Sequence, residues 1–138
     1  MNLYFDIDGV LLTRNKQVPD GASELLSFAN QSFSCFWLTT HCRTGANRAV
    51  EYLSGYYQEP DLSNISKILP TNWNDSKTEG LDWDSEFLWL DDFAFEFERM
   101  ELKKKDRLDS LVLVNLDREG ELSRILQHLQ MTCDKYSE

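Results

Sequence analysis

The chain is poor in the residues that break or staple a fold: 138 residues contain six glycines, three prolines and three cysteines. So little Gly and Pro, beside 41% hydrophobic and 12% aromatic residues, excludes disordered and fibrous chains and points to a globular one. Cys35, Cys42 and Cys133 are an odd number, and no secretory pattern follows Met1-Asn2-Leu3, so the expectation is a cytoplasmic protein with reduced thiols. Basic residues are scarce: 14 Lys and Arg face 24 Asp and Glu, a formal charge of −10. A surface of that sign repels polyphosphate backbones and anionic membranes, which argues against nucleic acid as a bulk partner. No apolar stretch reaches the ~20 residues that cross a bilayer, so no membrane span is expected. The length suits one core, and residues 1–138 are read as a single domain.

What is present is alternation. Mostly apolar runs of strand length fall at Leu3 to Ile7, Cys35 to Thr39, Ile65 to Leu69, Phe87 to Leu90 and Leu111 to Leu116. Their continuous apolar character fits strands buried on both faces, and amphipathic segments between them fit crossover helices, giving an α/β chain with a mainly parallel five-stranded sheet. Helical spacing predicts a helix after Pro19-Asp20 with Ala22, Leu25, Leu26 and Ala29 inward, a second over roughly Gly45 to Tyr57, and a last one from about Asp117. Phe93, Phe95 and Phe97 alternate like a strand, yet Glu96 to Lys105 is helical in pattern, so a loop followed by a helix is expected there. Pro70 to Glu86 reads as a polar loop with one helical turn, in which Trp73 and Trp83 either pack over the sheet or line a substrate pocket.

Acidic residues interrupt two of the apolar runs. Asp6 and Asp8 lie in Leu3-Tyr4-Phe5-Asp6-Ile7-Asp8-Gly9-Val10, and Asp91-Asp92 closes Phe87-Leu88-Trp89-Leu90. A buried carboxylate is costly without a compensating cation or several donors. Both pairs fall where a parallel strand emerges at its carboxyl end, the edge at which open α/β sheets bind ligands. If the first and fourth strands are neighbours, the pairs face each other, and their hard oxygens suit Mg²⁺ held together with a substrate phosphate.

Four segments in this order resemble the motifs of the haloacid dehalogenase (HAD) superfamily of aspartate-nucleophile phosphatases. Asp6-Ile7-Asp8-Gly9-Val10 is similar to the first motif, Phe36-Trp37-Leu38-Thr39 to the second, Lys77 to the third and Leu88-Trp89-Leu90-Asp91-Asp92 to the fourth. The resemblance implies a three-layer Rossmann-like sheet of strand order 5-4-1-2-3 and a Mg²⁺-dependent phosphomonoester hydrolase. It further implies that Asp6 attacks phosphorus to form an aspartyl-phosphate, and that Asp8 protonates the leaving oxygen and then activates water. Thr39, with Thr40 as the alternative, and Lys77 would hold the phosphoryl oxygens. Asp6, the Asp8 backbone carbonyl and Asp91 would ligand Mg²⁺, with Asp92 acting through water or as an acceptor behind the metal shell.

A rival motif lies in His41-Cys42-Arg43-Thr44-Gly45-Ala46-Asn47-Arg48, which resembles the His-Cys-x-x-Gly-x-x-Arg phosphate loop of cysteine-dependent phosphatases. There Cys42 would attack as thiolate and Arg48 would clamp the oxygens without metal. Ala49 stands where that family carries Ser or Thr, and the reading leaves all four aspartates without a role. A bacterial receiver domain disagrees in the order of its acids and lysine; a HAD fold that only binds partners is the third reading.

HAD enzymes often carry a cap domain after the first or second motif, but residues 9 to 34 and 40 to 76 are both needed for core elements. No sizeable cap is expected. An open site implies a phosphorylated substrate large enough to exclude water itself, small-molecule or macromolecular, or closure by a second copy in a homo-oligomer. The stretch Leu11 to Val18, turning at Asn15-Lys16, is expected to form a small flap whose Arg14 and Lys16 meet anions.

Overall fold

A computed structural model describes residues 1–136. Four strands form one parallel sheet: β1 (Asn2–Phe5), β2 (Ser34–Trp37), β3 (Phe87–Asp91) and β4 (Leu111–Leu113). Their order is β2-β1-β3-β4, with Phe5 in register with Trp37 on one side and Leu90 on the other, and Asp91 in register with Leu113. Five helices accompany them: α1 (Ala22–Ser32), α2 (Ala49–Leu53), α3 (Asp61–Ser66), α4 (Glu96–Lys104) and α5 (Glu121–Tyr136). No helix among the described residues is long and apolar enough to cross a membrane.

The period-two geometry of the strands divides the core between the two faces of the sheet. Leu3, Phe5, Cys35, Trp37, Leu88 and Leu90 join a cluster with Ala22, Leu25, Leu26 and Ala29 of α1 and Leu122, Ile125 and Leu129 of α5. Tyr4, Phe87 and Trp89 point the other way and pack with Leu38, Trp73, Leu81 and Leu102 of α4. Strands covered on both faces must be apolar at every position, and β3 is buried at all five of its residues.

The sheet has four strands rather than five, and its order differs from the expected 5-4-1-2-3. Ile65 to Leu69 is the segment that departs. Ile65 lies in α3, Ile68 is buried three residues on, and the polar Asp61, Ser63, Asn64 and Ser66 occupy the rest of the turn, a helical pattern rather than an alternating one. Only Leu69 still pairs, donating its N–H to Cys35 O at 3.0 Å and accepting from Trp37 N at 2.7 Å, and Pro70 then supplies no donor to extend the ladder. The expected juxtaposition of the first and fourth apolar runs is present as the β1–β3 pair.

The second predicted helix is also shorter than its pattern. Gly45 takes φ +84 and donates to Thr71 O, while Arg43 O accepts from Trp73 N, so residues 43–45 are tied to the 71–73 segment and the helix starts at Ala49. The loop after β3 runs into α4 as expected, and Lys77–Gly80 supplies the single helical turn of the long polar loop.

Candidate active site

The carboxyl ends of β1 and β3 lie side by side, and each delivers an aspartate. Asp6 follows β1, its N–H bonded to Leu90 O at 3.0 Å, and Asp91 is the last residue of β3. Both are buried, Asp91 to 1% and Asp6 to 8% exposure. Carboxylate oxygens of Asp6, Asp91 and Asp92 lie within 4.8 Å of one another, a hard-oxygen set of the kind divalent cations take. The Lys77 ammonium sits at its edge, 2.7 Å from Asp91 Oδ2 and 3.6 Å from Asp6 Oδ1.

Gly9 lets the turn after β1 pack against Asp92. It adopts φ +88, and a Cβ there would fall 2.3 Å from Asp92 Cγ, so only glycine lets the turn after β1 pass this close.

The charge balance is uneven. Burial pushes the Asp91 carboxyl up to about 7, with the Asp6 charge adding to the rise, and burial with the neighbouring Asp91 pushes Asp92 to about 6. Asp6 is likewise raised by burial, against the pull of Lys77. For Lys77, burial would lower the pKa, but Asp6 and Asp91 outweigh it and hold the ammonium charged. Three clustered carboxyls facing one cation lack positive charge, which a divalent ion would supply.

Asp8 faces a different set of partners. Its Oδ1 accepts from Lys16 Nζ at 2.8 Å and Tyr52 OH at 3.0 Å, and His41 Nε2 lies 3.0 Å from Oδ2. Burial alone would raise this carboxyl, but those hydrogen bonds together hold it below the ordinary range. The two threonines divide: Thr39 is buried, with its hydroxyl capping the Thr40–Cys42 turn at His41 N, whereas exposed Thr40 lines a cavity of about 200 Å³ with Asp6, Trp73, Lys77, Asp91 and Asp92.

Several participants escaped sequence reasoning. Glu98, 3% exposed on α4, accepts from Lys77 N–H at 2.9 Å and from Phe95 N–H at 3.1 Å, so it seats the Lys77 turn. The Trp89 indole donates to Asp91 Oδ2 at 3.1 Å. His41 and Tyr52 stack with ring centroids 4.0 Å apart beside Asp8. The only advance signal for Glu98 was its place three residues after Phe95 at a helix start, where an acid can reach back to the first amide.

The stretch expected to form a flap makes a turn in which Arg14 pairs with Asp117 at 2.9 Å and Lys16 with Asp8 at 2.8 Å. Thr13 N–H bonds Gln17 O, Lys16 N–H bonds Thr13 O, and Lys16 takes φ +59. Asn15 to Gln17 border a cavity of about 940 Å³ together with Asp8, Gly9 and Asp92. Cys42 lies in the core, its thiol donating to Asn47 Oδ1 at 3.9 Å, while Arg48 is exposed and borders another cavity with Glu51 and Tyr52. α2 begins only at Ala49 and has five residues, so the Cys42 segment does not lead straight into a helix as a phosphate loop does.

No family model, curated protein or solved structure matches the chain.

Proposed function

We propose that this protein is a phosphomonoester hydrolase that works through an aspartyl-phosphate, in the manner of the HAD superfamily it resembles. The observation that carries the reading is the meeting of Asp6 and Asp91 at the ends of adjacent parallel strands, bridged by the Lys77 ammonium. Asp6 is the nucleophile: a carboxylate oxygen attacks phosphorus, the bond to the leaving oxygen breaks, and its electron pair departs with that oxygen. Asp8 first takes the proton of the bound phosphate monoanion and passes it to the leaving oxygen. In the second half Asp8 takes a proton from water, whose oxygen attacks phosphorus, and the Asp6 carboxylate is released with inorganic phosphate.

Asp8 rests in surroundings that favour its ionised form, which suits the second half directly. Lys77 offsets charge on the phosphoryl oxygens, and Thr40, open to the same cavity as Asp6, offers them a hydroxyl. Thr39 supports that contact by capping the turn. Asp6, Asp91 and Asp92 are the side chains that would hold Mg²⁺, with the Asp8 carbonyl as the resemblance implies. When bound, the ion would offset the carboxylate charge and polarise the phosphoryl group.

Hydrolysis of an aryl phosphate, with and without chelator, tests this reading. Wild-type activity should disappear in chelator and return with Mg²⁺, Asp6→Asn should lose at least about 10³-fold in kcat, and Cys42→Ser should retain activity. Chelator-resistant turnover lost in Cys42→Ser would overturn the reading in favour of the thiolate.

A further inference from the structure

Beside the carboxylates lies a patch that the chemistry above does not use. Phe93, Phe95 and Phe97 are 56%, 55% and 53% exposed. Single exposed apolar side chains are ordinary, whereas a run of three exposed rings, two of them on the rim of a cavity, calls for a partner. Phe93 meets Phe95 edge to face with centroids 5.1 Å apart, and Phe95 stacks on Phe97 at 5.5 Å with the rings 10° from parallel. Phe93 and Phe95 line the same 200 Å³ cavity as Asp6, Lys77 and Asp91, and Trp73 forms another part of its wall.

The aromatic residues are tied to the carboxylates by a circuit of hydrogen bonds. Phe93 N–H donates to Asp91 Oδ1 at 3.2 Å; Asp91 Oδ2 accepts from Lys77 Nζ at 2.7 Å. Lys77 N–H donates to Glu98 Oε2 at 2.9 Å, and Glu98 Oε1 accepts from Phe95 N–H at 3.1 Å. The backbones that carry the two rings are therefore tied through Asp91 and Glu98 to Lys77, the residue that would meet the phosphoryl oxygens. Phe93 and Phe95 thus border the cavity into which Asp6 and Lys77 face, the place where an ester held by its phosphoryl group would meet them.

We propose that Phe93 and Phe95 form a platform for a flat aromatic group, so that the preferred substrates are phosphomonoesters whose alcohol or phenol carries a ring close to the ester oxygen. This rests on the phosphatase reading for the placement of the phosphate. An exposed ring gains by covering another aromatic face in offset or edge-on contact, and an alkyl chain of one or two carbons reaches too little of the platform to share that gain. A phosphotyrosine side chain and a nucleoside monophosphate both present such a ring, at different distances from phosphorus.

The test compares kcat/KM for benzyl phosphate and ethyl phosphate, whose leaving alcohols are similar in acidity, so that the ratio reports recognition rather than leaving-group reactivity. Wild type should prefer benzyl phosphate by about tenfold or more, and Phe93→Ala with Phe95→Ala should reduce that ratio to within about twofold. Phosphotyrosine and adenosine 5′-monophosphate, assayed in parallel, separate the two sources of the ring. A wild-type ratio near one, or a ratio that survives both substitutions, would overturn the proposal. Should neither ester turn over and the aryl phosphate resist hydrolysis as well, the phosphatase reading fails. Calorimetric binding of benzylphosphonate against ethylphosphonate then decides the platform: a benzyl preference lost in the double variant sustains it, and equal binding overturns it.

Discussion

At the scale of single residues, the carboxyl groups of the site follow opposite rules. Asp91 is buried and its folded pKa lies near 7, above its ordinary 3.8. A carboxyl raised in this way favours folding while protonated, and that contribution is lost as pH rises through about 7. In chelator, Asp91→Asn should therefore gain on wild type between pH 5 and pH 8 by on the order of 2 kcal/mol, whatever fixed cost the amide pays for its altered hydrogen bonds. Denaturant unfolding of both proteins across that range measures the changing gap, and a constant gap would remove the raised carboxyl. Asp8 obeys the other sign. Lys16, His41 and Tyr52 hold its pKa down despite its partial burial, so Lys16→Met should raise it. Where ionised Asp8 activates water, the limb of kcat that climbs with pH should then move to higher pH; a full pH–rate profile reads the shift.

At the scale of elements, α4 does two jobs with one side chain. Glu98 reaches back to Phe95 N–H at the start of its own helix and outward to Lys77 N–H in the facing turn. Replacing it by Gln leaves one buried amide facing an NH₂ group instead of an acceptor. Glu98→Gln should cost about 1–3 kcal/mol in unfolding free energy and lower kcat at saturating Mg²⁺, because the ammonium it seats is displaced. Denaturant titration and steady-state kinetics on the same sample separate the two effects. Helix α3 shows how an element can be misread: Ile65 and Ile68 are both buried, but their spacing of three belongs to a turn of helix, and only Leu69 keeps a place beside β2.

At the scale of the whole molecule, the chain spends its length on the sheet and its covering helices. Residues between Asp8 and β2 form the Thr13–Gln17 turn and α1, and those between Thr39 and Lys77 form α2, α3 and the loop that holds Trp73. Among the described residues the Thr13–Gln17 turn borders one cavity beside Asp8 and Asp92, and Phe93 and Phe95 border another beside Asp6 and Lys77. On the proposed phosphatase reading, substrate choice falls to the cavity rims, where exposed Phe93 and Phe95 lie.

The α/β class, the inward face of α1 and the position of Asp6 and Asp91 at strand ends were legible in the chain, because apolar runs and helical spacing are local properties of sequence. The number of strands was not, since Ile65-Ser66-Lys67-Ile68-Leu69, with three apolar residues of five, satisfies a short helix as well as an edge strand. Nor were the partners of Asp8, which come from Lys16, His41 and Tyr52, separated from it by up to 44 residues. The amino-acid order by itself determined which side chains were too costly to bury unaccompanied. Only the packing of β1 against β3, and of α4 against the Lys77 turn, decided which groups accompany them, because hydrogen bonds between distant segments exist only once the chain has closed on itself.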